Sequence, residues 1–125
     1  MSYAEFQDHW EKEADKEREN YDSRTINELV ADVKANRFGK YYQIWYSLGA
    51  RAKLKDIEWT FYDVLKSNLD YLIRYHCAKA LISIAGLYTT GIRPEELSAE
   101  NTFDVKQNLL KVQEQLEEKL GKRNI

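Results

Sequence analysis

Two segments of this chain echo each other 33 residues apart, Lys40–Ala52 and Ile73–Ala85. Tyr42 aligns with Tyr75, Leu48 with Leu81 and Ala52 with Ala85, while Ile44 faces Cys77 and Ser47 faces Ala80. A period of this size is the mark of stacked helical hairpins, because one hairpin cannot bury its apolar face alone. Five glycines and one proline in 125 residues leave few breaks, which favours long helices. The pattern therefore predicts one all-α domain over residues 1–125. It also predicts a binding surface, since stacked hairpins commonly present one.

Residues 2–20 read as an amphipathic helix, with Tyr3, Phe6 and Trp10 at helical spacing and a charged run from Glu11 to Glu19. Its first half carries the apolar face, so its second half is expected to project into solvent. Thr25-Ile-Asn-Glu28 is a capping box: the threonine hydroxyl accepts from a backbone amide and the glutamate reaches back. It opens hairpin 1, residues 25–54, with a turn at Arg37-Phe-Gly39 and a second helix over about 39–54. Hairpin 2, residues 56–87, starts with Asp56 as a cap. Lys66-Ser-Asn68 echoes Lys34-Ala-Asn36 at an offset of 32, so one residue is inserted in the second turn. The helix over about 70–87 is apolar nearly all round and is expected at the centre. Gly86 to Gly91 reads as a loop and Pro94 as the start of a short helix. A last helix to Leu120 carries Val105, Leu109, Val112, Leu116 and Leu120, near coiled-coil spacing. Residues 94–120 and 1–20 are thus capping helices at the two ends. The C-terminal stripe either docks on the hairpins or pairs two chains, giving a monomer or a homodimer.

Arg74-Tyr-His-Cys-Ala-Lys-Ala-Leu81 resembles the second helix of a HEAT-type helical repeat, in which a basic residue precedes small residues and Ala-Leu. Small side chains there let neighbouring helices lie close. The first copy, Tyr41 to Leu48, departs from this pattern by placing Trp45 and Tyr46 where small residues stand. The resemblance covers about residues 25–87. It implies antiparallel helix pairs in a short HEAT-like stack with protein-binding use of one face, and it carries over no catalytic residues. A helical bundle is the alternative arrangement.

Charge is uneven. Residues 1–23 carry net −5, residues 24–93 net +5 and residues 94–125 net −2. Either the acidic ends fold against the basic middle, or the middle attracts an acidic partner. The N-terminus has no basic region followed by an apolar stretch, and no apolar run nears the ~20 residues of a membrane span. A cytoplasmic location without membrane association is expected.

Catalytic chemistry finds little footing. His76 and Cys77 are neighbours and must point to different sides of a helix. No Cys-x-x-Cys, His-x-x-x-His or Glu-x-x-His spacing offers a metal site, and no glycine-rich loop offers a phosphate site. Glu95-Glu96 and Glu117-Glu118 read as solvated surface. No cofactor, metal or enzymatic activity is expected. The remaining candidate is an aromatic-basic set in which Arg37, Lys40, Tyr42 and Tyr46 belong to the first copy, Tyr71 and Arg74 to the second. Tyrosine and arginine dominate protein interfaces because they combine large rigid area with polar tips. The expected function is a non-catalytic protein-binding module: a small adaptor, an inhibitor or an immunity-type protein. The alternative is a nucleic-acid-associated protein that uses the basic centre, since the same residues can stack on bases and meet phosphates.

Overall fold

The chain is all-α in a computed structural model that describes residues 2–86 and 102–121, with side chains of the last helix from Leu109 onward. Among the described residues the helices are α1 (Tyr3–Asp22), α2 (Ile26–Lys34), α3 (Gln43–Arg51), α4 (Leu54–Ile57), α5 (Thr60–Lys66), α6 (Tyr71–Ala85) and α7 (Thr102–Leu120). None of them is long and apolar enough to cross a membrane. The loop and short helix read around Gly86–Leu97 lie outside the described residues, apart from Gly86. That glycine ends α6 in the left-handed conformation, with φ +67°.

α3 lies between α1 and α6 and runs parallel to both. On one side, Glu17 of α1 meets the start of α3, while Ser47 and Arg51 further along reach Asp22 and Tyr21. On the other side, Tyr42 meets His76, and Gly49 meets Ala80. A Cβ built on Gly49 would sit 3.4 Å from the Ala80 Cα, so the two small residues set how closely α3 and α6 approach. The aligned pairs share their burial: Ile44 and Cys77, Leu48 and Leu81, and Ser47 and Ala80 are all buried. α2 packs on α3, and α5 on α6. α7 lies on α5 and α6, where Leu109, Val112 and Leu116 enter the core. Three positions of the stripe read from the sequence, Leu109, Val112 and Leu116, are thus buried within the chain, while the side chain of Val105 lies outside the described residues.

Thr25 forms the expected capping box with Glu28, donor and acceptor meeting at 3.1–3.2 Å in both directions. Three other expectations are corrected. The polarity of α1 is reversed: Tyr3 and Phe6 are exposed and Trp10 partly so, whereas Ala14 and Tyr21 in the second half are buried. Tyr3, Phe6 and Trp10 reach past the start of α3, and among the described residues no neighbouring helix covers them. The second helix of hairpin 1 begins at Gln43 rather than near 39, because Gly39 and Tyr42 both have positive φ and a right-handed helix cannot pass through them.

The first helix of hairpin 2 is split. Asp56 does not cap it from outside but sits within α4 and accepts the Lys53 amide at 2.8 Å. The chain then breaks at Glu58, with φ 43° and ψ −118°, followed by Trp59 at −90° and −1°. These values are close to the central residues of a type II′ turn, about (60°, −120°) and (−80°, 0°). Its first central position is normally glycine, because a Cβ is strained there. Glu58→Gly is therefore expected to stabilise the protein by about 1 kcal/mol, a rise of roughly 3–6 °C in Tm. Thermal unfolding followed by circular dichroism checks this, and an unchanged or lower Tm would refute it.

Candidate protein-binding site

The six residues singled out from the sequence do not form one cluster. Arg37 is well exposed and its guanidinium grips Asp32 at 3.0 Å, on the opposite carboxylate oxygen from Arg24 at 2.7 Å. The Arg24 hydrogen bond is the main cause, and the Arg37 bond a further one, that holds the Asp32 carboxyl below its ordinary range against the opposing effect of burial. Lys40 is exposed, and its backbone amide donates to Glu17. Tyr71 is half-buried against the core, and Arg74 turns back to donate from Nε to the Leu69 carbonyl at 3.0 Å. Only Tyr42 and Tyr46 share a site, and its centre is His76.

Tyr42 stacks on the His76 ring, centroids 4.3 Å apart and planes at 17°. The left-handed backbone of Tyr42, φ 61°, places its ring there from the residue just before α3. Tyr46, one turn on, presents its ring edge-on to the imidazole at 5.7 Å, with its hydroxyl 3.5 Å from Nδ1. Tyr75 closes the other side at 5.0 Å. Lys79, one turn along α6, holds its ammonium 5.6 Å from the Tyr46 ring centre and 5.9 Å from that of Tyr75, within cation–π range. Beside this set lies a groove of about 300 Å³, walled by Tyr46, His76, Lys79 and Ser83 with Arg18 of α1 at its far side and Gly49 in its lining. Arg18 is held by Asp22 at 2.9 Å.

Burial, and secondarily the nearby Lys79, lowers the His76 pKa to about 4. The ring is thus neutral at physiological pH and can offer one donor and one acceptor. Cys77 faces the other way. It is fully buried against the Phe61 carbonyl, and burial pushes its thiol pKa well up, so it is a protonated core residue. Among the described residues, no group of three or more His, Cys, Asp or Glu is placed to hold a metal ion. The site combines aromatic faces, hydroxyls and a cation.

His76 and Lys79 were not among the residues picked out from the sequence, yet a signal for them existed. The 33-residue offset aligns Tyr42 with Tyr75, Gln43 with His76 and Tyr46 with Lys79. With α3 and α6 parallel and adjacent, aligned positions become spatial neighbours. In comparisons with known proteins, no family model, no curated protein and no solved structure matches this chain.

Proposed function

We propose that this protein is a non-catalytic protein-binding module, an adaptor or an inhibitor or immunity-type protein acting in the cytoplasm, which receives its partner on the face built by Tyr42, Tyr46, Tyr75, His76 and Lys79. The observation that carries this reading is the accessible tyrosine set with Lys79 over two of its rings. Tyr46 remains 36% exposed although His76 and Lys79 surround it. Rigid aromatic rings lose little entropy on binding, and their polar tips stay wet until a partner covers them. The cation, and the lack of a carboxylate in the cluster among the described residues, favour a partner that brings acidic and apolar side chains. The parallel packing of α3 and α6 at matching positions supports the HEAT-like stack as the architecture behind this face.

The nucleic-acid reading has weaker support. Four arginines of the basic centre serve the fold: Arg24 and Arg37 on Asp32, Arg51 on carbonyls of Tyr21 and Arg24, and Arg74 on the carbonyl of Leu69. That leaves fewer cations for phosphates, on which such affinity mostly rests.

Tyr46→Ala and Lys79→Glu should each weaken binding of a partner captured from the native host by roughly 10-fold or more, the loss typical of an interface anchor. Their helicity and Tm should stay near those of the parent protein. Unchanged binding by both variants, or steep salt-sensitive binding to labelled DNA or RNA instead, would overturn the reading.

A further inference from the structure

The groove beside Tyr46 is lined from three helices, and two of them bring a cation to it. Gly49 and Ala80 hold α3 and α6 close together and line a space of about 300 Å³. Arg18 reaches this space from α1 and Lys79 from α6. His76, Lys79 and Ser83 follow at steps of three and four residues, so they lie on one face of α6. Among the described residues no carboxylate lines the groove.

Both cations are half-buried and have donors to spare. Arg18 is anchored through Nε, which donates to the two Asp22 oxygens at 3.0 and 2.9 Å. Asp22 is fixed in turn by the hydroxyl of the buried Ser47 at 2.6 Å. The guanidinium is therefore held in place while its two Nη groups donate to nothing among the described residues. Lys79 has no carboxylate partner there either: its ammonium rests over the Tyr46 and Tyr75 rings. Its charge is felt nearby, since after burial it is the second cause that keeps the His76 ring neutral. Half-buried charged donors without an acceptor are costly, and a charge-assisted hydrogen bond to an anion removes that cost.

The charge count selects the anion. Arg18 and Lys79 bring two positive charges, Asp22 brings one negative and His76 none, which leaves one positive charge to be matched. A single carboxylate matches it. A phosphate monoester carries about −1.5 to −2 at neutral pH and would be under-compensated. A nucleic-acid strand calls for a track of cations. We propose that this groove is a carboxylate pocket, which takes one Asp or Glu side chain of the protein partner between the Arg18 Nη groups and the Lys79 ammonium. The space is at the small end of ligand pockets, which suits one side chain. The proposal rests on the protein-binding reading and deepens it: the acid of the partner enters between α1 and α6, while its apolar side chains lie on Tyr42 and Tyr46.

The probe is acetyl-Leu-Glu-Leu-amide, compared with its glutamine counterpart, at about 20 mM salt where screening is weak. Titrated into the ¹⁵N-labelled protein, the glutamate peptide should shift the Arg18 Nε–H signal and the amides of Ala50, Lys79 and Ser83, with a Kd of about 1–5 mM as befits one short contact. The glutamine peptide should bind at least about 5-fold more weakly. Arg18→Gln and Lys79→Gln should each weaken the glutamate peptide by about 10-fold, with helicity kept, and Lys55→Gln, an exposed cation outside the groove, should not. Equal binding of the two peptides, no shift by about 20 mM peptide, or tighter binding of inorganic phosphate at the same signals would each overturn the proposal. On a partner captured from the native host, Arg18→Gln should again cost about 10-fold. If Tyr46→Ala weakens that partner and Arg18→Gln does not, the carboxylate pocket is wrong and the protein-binding reading stands. If neither weakens it, both fall.

Discussion

Gly39→Ala is expected to destabilise the protein by about 3 kcal/mol, through two effects that can be separated. The first is local. Gly39 has φ +74°, in the left-handed region that costs a residue with a Cβ roughly 1 kcal/mol. The second reaches across the fold. A Cβ at this position would run into the Glu17 carboxylate and lie 2.7 Å from the Tyr21 hydroxyl. That carboxylate accepts the amides of Lys40 at 2.6 Å, Tyr41 at 2.9 Å and, more weakly, Gln43 at 3.4 Å. One of them, the Gln43 amide, is an orphan donor at the start of α3, whose own N-cap, Tyr42, provides no side-chain acceptor. A negative charge there also faces the positive end of the helix dipole. Displacing it forfeits bonds worth about 2 kcal/mol together, given their partial exposure. Glu17→Ala alone should cost that same ~2 kcal/mol. Because the alanine at position 39 acts largely by evicting Glu17, the double variant should lose only about 3 kcal/mol rather than the additive sum. Urea unfolding of the four proteins measures this. Strict additivity would show that Gly39 and Glu17 act independently and sink the account.

This contact also shows where sequence reading ran short. The all-α class, the capping box at Thr25 and Glu28 and the burial shared by aligned positions were legible, because each rests on a local spacing or a period. The 33-residue offset even contained the His76 site, since it aligns Tyr46 with Lys79. The use of Glu17 was not legible. In sequence it is one acid in a charged run, and only the parallel placement of α1 on α3 aims it at the amides of residues 40–43. The break at Glu58 was equally hidden, because nothing in Lys-Asp-Ile-Glu-Trp-Thr signals a turn that glycine would normally occupy. The reversal in α1 has a plainer cause. Hydrophobicity assigned its aromatic end to the core, but α3 starts too late in the chain to reach it. Ala14 and Tyr21, with Glu17 as the polar link, make the contact instead. Arg37 read as a contact residue, yet it holds Asp32 together with Arg24, while Arg51 holds backbone carbonyls at and just after the end of α1.

Trp45 divides the aromatic cluster into core and surface, and its replacement should produce the largest effect of any single change considered. From sequence it stood with Tyr46 as a departure from small-residue packing. In the fold it is 1% exposed, stacks on Phe38 at 5.5 Å and 27°, and meets Phe61 edge-on at 5.2 Å and 83°. It therefore fills the volume enclosed by α3, α5 and the turn before α3, which is why the first copy tolerates a large ring. Trp45→Ala should cost about 4 kcal/mol, the usual range for emptying such a site. The indole Nε1 is buried and has no hydrogen-bond partner among the described residues. An unsatisfied buried donor costs about 1–3 kcal/mol, so the parent protein already carries that penalty. Trp45→Phe keeps most of the aromatic contact and removes the orphan N–H, so it should cost no more than about 1 kcal/mol. Partner binding through Tyr46 and Lys79 should survive in the phenylalanine variant, because neither side chain is altered. Equilibrium unfolding of both variants decides the matter. Equal losses for alanine and phenylalanine would mean that Nε1 is satisfied after all. A loss under about 1 kcal/mol for alanine would mean that Trp45 is not the centre of this packing.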